Sequence, residues 1–190
     1  MSDPRNMSAA PQATAPPLSE PSAWHDISCV VNGHEVDAQV ESRLLLSDFL
    51  RHRLALTGTH VGCEQGSCGA CTVLIDRVPV RSCLMLAVQC DGRDVVTVEG
   101  LAAGDDLHPV QESFRAHHGL QCGFCTPGFL MTLAALADDA EPCDEERMLD
   151  EIGGHLCRCT GYLGIREAAR CALGIAAGPD GCDHTGVRHE

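Results

Sequence analysis

Residues 63–71 read Cys63-Glu64-Gln65-Gly66-Ser67-Cys68-Gly69-Ala70-Cys71, and Cys83 follows after eleven further residues. The spacing is C-x4-C-x2-C with a distant fourth thiol. Four thiolates hold one [2Fe–2S] cluster, and this is the plant-type spacing. Three donors on one tight loop wrap one side of an inorganic core, and the fourth arrives from the next element. Gly66 and Gly69 give the backbone the freedom to pass close to that core. Backbone N–H groups can then point at the sulfur atoms. A four-cysteine zinc site also uses C-x2-C pairs and is the alternative reading.

Working outward, the flanking segments suit a small sheet domain. A short strand at 27–31 leads into Asn32-Gly33, a strong hairpin turn, and a returning strand at 36–40. Residues 44–54 carry an apolar helical stripe ending in Arg51, His52 and Arg53, where positive charge suits the helix dipole. His52 and His60 read as local hydrogen-bonding groups rather than metal donors. After the cysteine loop, 72–75 is a strand, 76–78 a turn, and 79–81 the next sheet edge. Cys83 follows at once, so sheet geometry places it. A last strand is expected at 95–98. Strands, helix and cysteine loop in this order open a β-grasp, plant-type ferredoxin-like domain, expected over residues 25–101.

A linker at 102–106 separates it from an all-helical unit at 107–177. There Asp106 can cap a helix over 107–118, with Pro109 tolerated in its first turn. Residues 129–137 form a second helix, Asp144 caps a third, and 165–176 form a fourth. The fold class is therefore α+β, a ferredoxin-like domain followed by a helical bundle. Residues 1–24 have the composition of a disordered tail, and 178–190 that of a polar one.

The helical unit carries Cys122-x2-Cys125 and Cys157-x-Cys159, each pair at a predicted helix end. Two helical hairpins can close these four thiols over a second centre. Beside the first loop, iron–sulfur is favoured over zinc. Of the thirteen cysteines, Cys29 and Cys171 read as small buried hydrophobes, and nothing pairs Cys90, Cys143 and Cys182.

The formal net charge of −14 excludes the basic footprint of a nucleic-acid binder. One Trp, one Tyr and four Phe leave little aromatic material for a core, so bound metal contributes to folding. The cysteines cluster in donor-like pairs and their number is odd, which argues against a disulfide scaffold. No signal-peptide core is visible and no apolar run is long enough for a membrane span, so a cytoplasmic location is expected. There is no Gly-rich dinucleotide fingerprint and no nucleophile–base constellation. Two centres without substrate chemistry make an electron wire.

Three segments then carry a family resemblance. They are Gly62-Cys63-Glu64-Gln65-Gly66-Ser67-Cys68-Gly69-Ala70-Cys71-Thr72-Val73, Gln121-Cys122-Gly123-Phe124-Cys125-Thr126-Pro127-Gly128, and Cys157-Arg158-Cys159-Thr160-Gly161-Tyr162. With the spacings between them, they make residues 25–177 resemble the iron–sulfur small subunit of the molybdenum hydroxylases, the xanthine oxidase and aerobic carbon monoxide dehydrogenase group. The resemblance implies a large molybdopterin-binding subunit and an FAD-binding medium subunit as partners. It implies electron flow from molybdenum through two [2Fe–2S] clusters to FAD or an external acceptor. By it, Cys122, Cys125, Cys157 and Cys159 hold the cluster near molybdopterin, with Cys159 closest to the pterin. Cys63, Cys68, Cys71 and Cys83 hold the one nearer FAD, and Gln121 hydrogen-bonds the pterin. The middle of the first loop, Glu64-Gln65-Gly66-Ser67, favours an N-heterocycle or aldehyde hydroxylase over a carbon monoxide dehydrogenase. A free-standing two-cluster carrier is the alternative function, and a zinc-stabilised adaptor a third.

Overall fold

Alternation of inward apolar residues builds the first strand. In β1 (Trp24–Val31) Ile27, Cys29 and Val31 are buried while the intervening residues are exposed or half-buried. Asn32 and Gly33, with φ of 51° and 79°, turn the chain tightly into β2 (His34–Glu41), so that Val31 faces His34. This is the geometry that an Asn-Gly pair adopts without strain. The computed structural model describes residues 23–175; both expected tails fall almost wholly outside them.

The remaining strands are β3 (Thr72–Ile75), β4 (Val78–Arg81) and β5 (Asp94–Val96). The sheet order is β2-β1-β5-β3-β4. β1 and β5 are parallel, and every other pairing is antiparallel. A single helical turn, α1 (Leu46–Asp48), continues as a π-helical turn over Phe49–Arg53 and lays Leu46, Phe49 and Leu50 on one face of the sheet. The helical stripe expected over 44–54 is thus real but π-wound, with Leu54 N–H reaching Phe49 O. The expected strand at 95–98 stops at Val96. Thr97 N–H is captured by the Asn32 side chain at 2.8 Å, and the chain coils into a 3-10 turn at Val98–Gly100.

The helical part comprises α2 (Pro109–Ala116), α3 (Thr126–Ala137), α4 (Glu145–Gly153) and α5 (Leu163–Ala172). The first of these starts later than 107, and its N-cap is His108, not Asp106. Proline disfavours helical geometry in the residue before it, so the helix begins at Pro109 itself. His108 Nδ1 accepts from Val110 N–H, and Gln111 reaches back to His108 N–H. Asp144 caps α4 as expected. α3 is apolar all round and central, and Phe129, Met131 and Leu133 on it are fully buried. Each such side chain contributes about 1.5–3 kcal/mol. One side of α3 packs on α2, α4 and α5, and the other on β3, all four residues of which are buried. The two domains therefore share β3 and α3 as a common wall, and β3 is the strand that leaves the first cysteine loop.

Candidate metal centres

Three left-handed residues bend the cysteine loop at 63–71: Glu64, Gly66 and Gly69, with φ of 54°, 76° and 77°. Positive φ selects glycine at Gly66, and at Gly69 close approach does so as well, since a Cβ there would come within 2.4 Å of His155 Nδ1 and 2.9 Å of Gly154 O. The loop turns its backbone inward. The N–H groups of Gln65 and Cys68 and the Ser67 hydroxyl point at the Cys63 sulfur and hold its pKa down to about 6. That hydroxyl contact accounts for Ser67.

The thiols of Cys63 and Cys68 contact each other, as do those of Cys71 and Cys83. The latter pair is buried, and burial, followed by the Cys71 thiol, pushes Cys83 up to about 11. Cys83 sits in a 3-10 turn directly after β4. Ser82 fixes that turn, its N–H and hydroxyl both donating to Cys71 O at 3.2 and 2.7 Å.

The second set is built by two loops. Cys122 and Cys125 lie between α2 and α3, with Cys125 as N-cap of α3. Cys157 and Cys159 lie between α4 and α5. Cys122 and Cys159 are exposed with their sulfurs 3.6 Å apart, and Cys125 and Cys157 are buried in mutual contact. Burial, then Cys157, pushes the Cys125 thiol up to about 12. Burial also raises Cys157, but the Thr160 hydroxyl and the N–H groups of Thr160 and Cys159 outweigh it and hold Cys157 below its ordinary value. Tyr162, left-handed at φ 67°, turns back to accept Cys157 N–H at 2.8 Å.

Each set of four thus resolves into two pairs. Two thiols per iron is what a two-iron core takes, whereas one zinc ion needs its donors around a single point. Among the described residues, no group of three or more His, Cys, Asp or Glu is gathered as for one metal ion. One thiol of each pair is held up, Cys68, Cys83 and Cys125 by burial and by the paired sulfur, Cys159 by the paired sulfur and by burial, and bound cations relieve the repulsion within a pair. The donor set fits a [2Fe–2S] group in both places.

One thiol of the first set meets the second set. Cys68 of the first and Cys122, Cys125 and Cys159 of the second line one cavity of about 200 Å³, closed by Phe124 and Leu156. Leu156 N–H donates to Cys68 O at 2.9 Å across the domain boundary. His60 stacks on Phe124 at 4.7 Å and bonds its carbonyl, so this histidine is a hydrogen-bonding group whose partner is not local but lies 64 residues away in the helical domain. Gln121 is exposed beside Cys122.

Two features were not legible in the sequence. Cys90 lies 3.9 Å from Cys29, sulfur to sulfur, in the sheet core, so Cys90 has a neighbour where none was expected; burial pushes it up to about 12, and the pair is inert packing. His155 is the other. It is 3% exposed, its Nε2 2.8 Å from the Thr132 hydroxyl and 3.4 Å from the Arg81 guanidinium. Burial and then the Arg81 charge hold its pKa down to about 3, so the ring is neutral. An arginine only donates, so Nε2 accepts and the proton sits on Nδ1. Its one sequence signal is a histidine two residues before Cys157.

Two thiol quartets, one in a ferredoxin-like sheet domain and one in a helical domain, define a two-centre iron–sulfur protein. Residues 29–97 match the 2Fe-2S iron-sulfur cluster binding domain, and residues 97–170 the [2Fe-2S] binding domain. The chain is 54% identical over 149 residues to the gamma subunit of caffeine dehydrogenase from Pseudomonas sp. strain CBB1, covering 77% of this chain and 89% of that one. It is 47% identical over 161 residues to the nicotine 6-hydroxylase small subunit of Paenarthrobacter nicotinovorans, covering 85% and 97%. Quinoline 2-oxidoreductase from Pseudomonas putida 86 superimposes with a TM-score of 0.72 at 50% identity, over 77% of this chain and 90% of that one. The chain belongs to the small iron–sulfur subunits of the molybdenum hydroxylases, the carbon monoxide dehydrogenase and aldehyde oxidoreductase family. It is the electron-transfer subunit of such a complex and binds two [2Fe–2S] clusters. No helix among the described residues is long and apolar enough to cross a membrane.

Proposed function

We propose that Cys63, Cys68, Cys71 and Cys83 hold one [2Fe–2S] cluster and Cys122, Cys125, Cys157 and Cys159 the other. The partners are a large molybdopterin-binding subunit on the Cys122 side and an FAD-binding medium subunit on the Cys63 side. When bound, the clusters supply one-electron transfer from molybdenum towards FAD or an external acceptor. The chain's own work is to hold eight thiolates, shield Cys71, Cys83, Cys125 and Cys157 from water, and fix one quartet against the other. The cavity shared by Cys68, Cys122, Cys125 and Cys159 is the observation that carries this reading. Gln121, exposed next to the outward pair Cys122 and Cys159, is the residue that meets the pterin. The domain division is 25–101 and 107–177, joined by 102–106, and the complex works in the cytoplasm. The relatives named for caffeine, nicotine and quinoline favour an N-heterocyclic substrate for the complex.

Metal analysis of the purified full chain tests the ligand assignment. About four iron and four acid-labile sulfide per chain are expected, with two distinct EPR signals on reduction. Two iron per chain, or zinc in place of iron, would overturn it.

A further inference from the structure

Three consecutive residues of the helical domain each reach into the ferredoxin-like domain just before Cys157. Gly154 O accepts from Arg81 Nη2 at 2.9 Å, His155 Nε2 faces Arg81 Nη1 at 3.4 Å, and Leu156 N–H donates to Cys68 O at 2.9 Å. The middle one is buried, and its ring stands 4.8 Å from that of Phe129. The notch it fills is made of glycine. A Cβ on Gly69 would meet His155 Nδ1 at 2.4 Å, and one on Gly128 would meet Gly69 O at 2.2 Å and His155 Nδ1 at 3.1 Å. Thr132 of α3 closes the far side at 2.8 Å. The imidazole therefore touches the first cysteine loop through Gly69, the sheet through Arg81 and the helical core through Thr132 and Phe129.

We propose that His155 is a positioning residue for electron transfer between the two centres: a wedge keyed into both domains that sets the gap between the Cys68 loop and the Cys157 loop. The inference rests on the two-cluster reading above. A side chain in this place has leverage, because Cys157 is two residues further along and Cys68 is bonded to the residue between. Tunnelling falls steeply with the gap, so a loosened wedge slows exchange between the centres while leaving each centre's own donors intact. Arg81 and Thr132 both address Nε2, so a glutamine, whose amide nitrogen and oxygen extend to that depth, keeps the contact, and alanine does not.

The test uses the full chain with both clusters, partly reduced. His155→Ala is expected to keep wild-type iron content and both individual EPR signals. It should alter the spin–spin splitting between the reduced centres and slow intercluster exchange about tenfold, the low end of the loss in activity seen when a metal site loses an outer support. His155→Gln should restore both readouts, and Thr132→Val should weaken them in the same direction as His155→Ala. Wild-type splitting and exchange in His155→Ala, or no recovery in His155→Gln, would overturn the wedge while leaving the two-cluster reading intact. If His155→Ala fails to fold, wild-type splitting in Thr132→Val overturns it. A wild-type chain with a single paramagnetic centre would overturn the two-cluster reading and the wedge together.

Discussion

Gln121 and His155 flank the second cysteine set in opposite surroundings, one exposed and one 3% exposed. Exposure suits a residue whose partner lies on another subunit. A glutamine amide donates and accepts at once, so it can satisfy two polar groups at a dry interface. It has no titration near neutral pH and cannot act as a base. Gln121→Ala should leave iron and sulfide content unchanged, because no thiol is lost. It should leave a pterin group unpaired in the assembled complex, at about 1–3 kcal/mol. Slower reduction of the helical-domain centre or lower molybdopterin retention is the expected outcome, read by rapid-freeze EPR and cofactor quantification. Wild-type kinetics with full cofactor content would leave Gln121 an ordinary surface residue. Position next to a cysteine made Gln121 legible in the sequence. His155 was not, because its partners Arg81 and Thr132 lie 74 and 23 residues away.

Among the elements, α4 and α5 are tied at their surface by Glu145, which pairs with Arg170 and stands 3.7 Å from Arg166. The Arg170 guanidinium holds the Glu145 carboxyl below its ordinary value of 4.5. Its folded-state pKa is thus depressed, so its contribution is present above that value and lost as the pH falls through the folded one. Glu145→Gln should lower the thermal midpoint of the cluster-loaded chain slightly at neutral pH. The deficit should shrink with added salt and vanish as the pH drops through the Glu145 titration, as followed by circular dichroism. A deficit that ignores both salt and pH would show that packing, not charge, joins these helices. Local chemistry explains which elements were legible. Asn32-Gly33 and the Asp144 cap are written in two or three residues. The late start at Pro109, the π turn at Phe49–Arg53 and the early end of β5 depend on contacts made elsewhere.

For the whole molecule, three exposed apolar side chains flank the second cysteine set along the chain. Phe124 and Leu156, 47% and 59% exposed, close the cavity shared by the two cysteine sets, and Leu163, 70% exposed, begins α5 four residues after Cys159. On a chain of net charge −14 such side chains stand out as contact surface. Leu163→Glu places a carboxylate at a helix N-terminus, where the dipole favours it, so the chain alone should keep its stability and iron content. Co-elution with the molybdopterin-binding subunit on size exclusion should nevertheless weaken. Unchanged co-elution would place the partner on another face.

The cysteine spacing, the hairpin turn and the helical periodicities are properties of short stretches, and the sequence by itself determined from them the two thiol quartets, the sheet-then-helix order and the family resemblance. Spacing constrains only neighbours along the chain. That Cys71 pairs with Cys83 and Cys122 with Cys159, that Cys68 lines one cavity with Cys122, Cys125 and Cys159, and that β3 and α3 form a common wall were decided by the tertiary structure. The reason is physical: these relations are packing contacts between residues far apart in sequence. One such fit is that of Gly69 and Gly128 against His155.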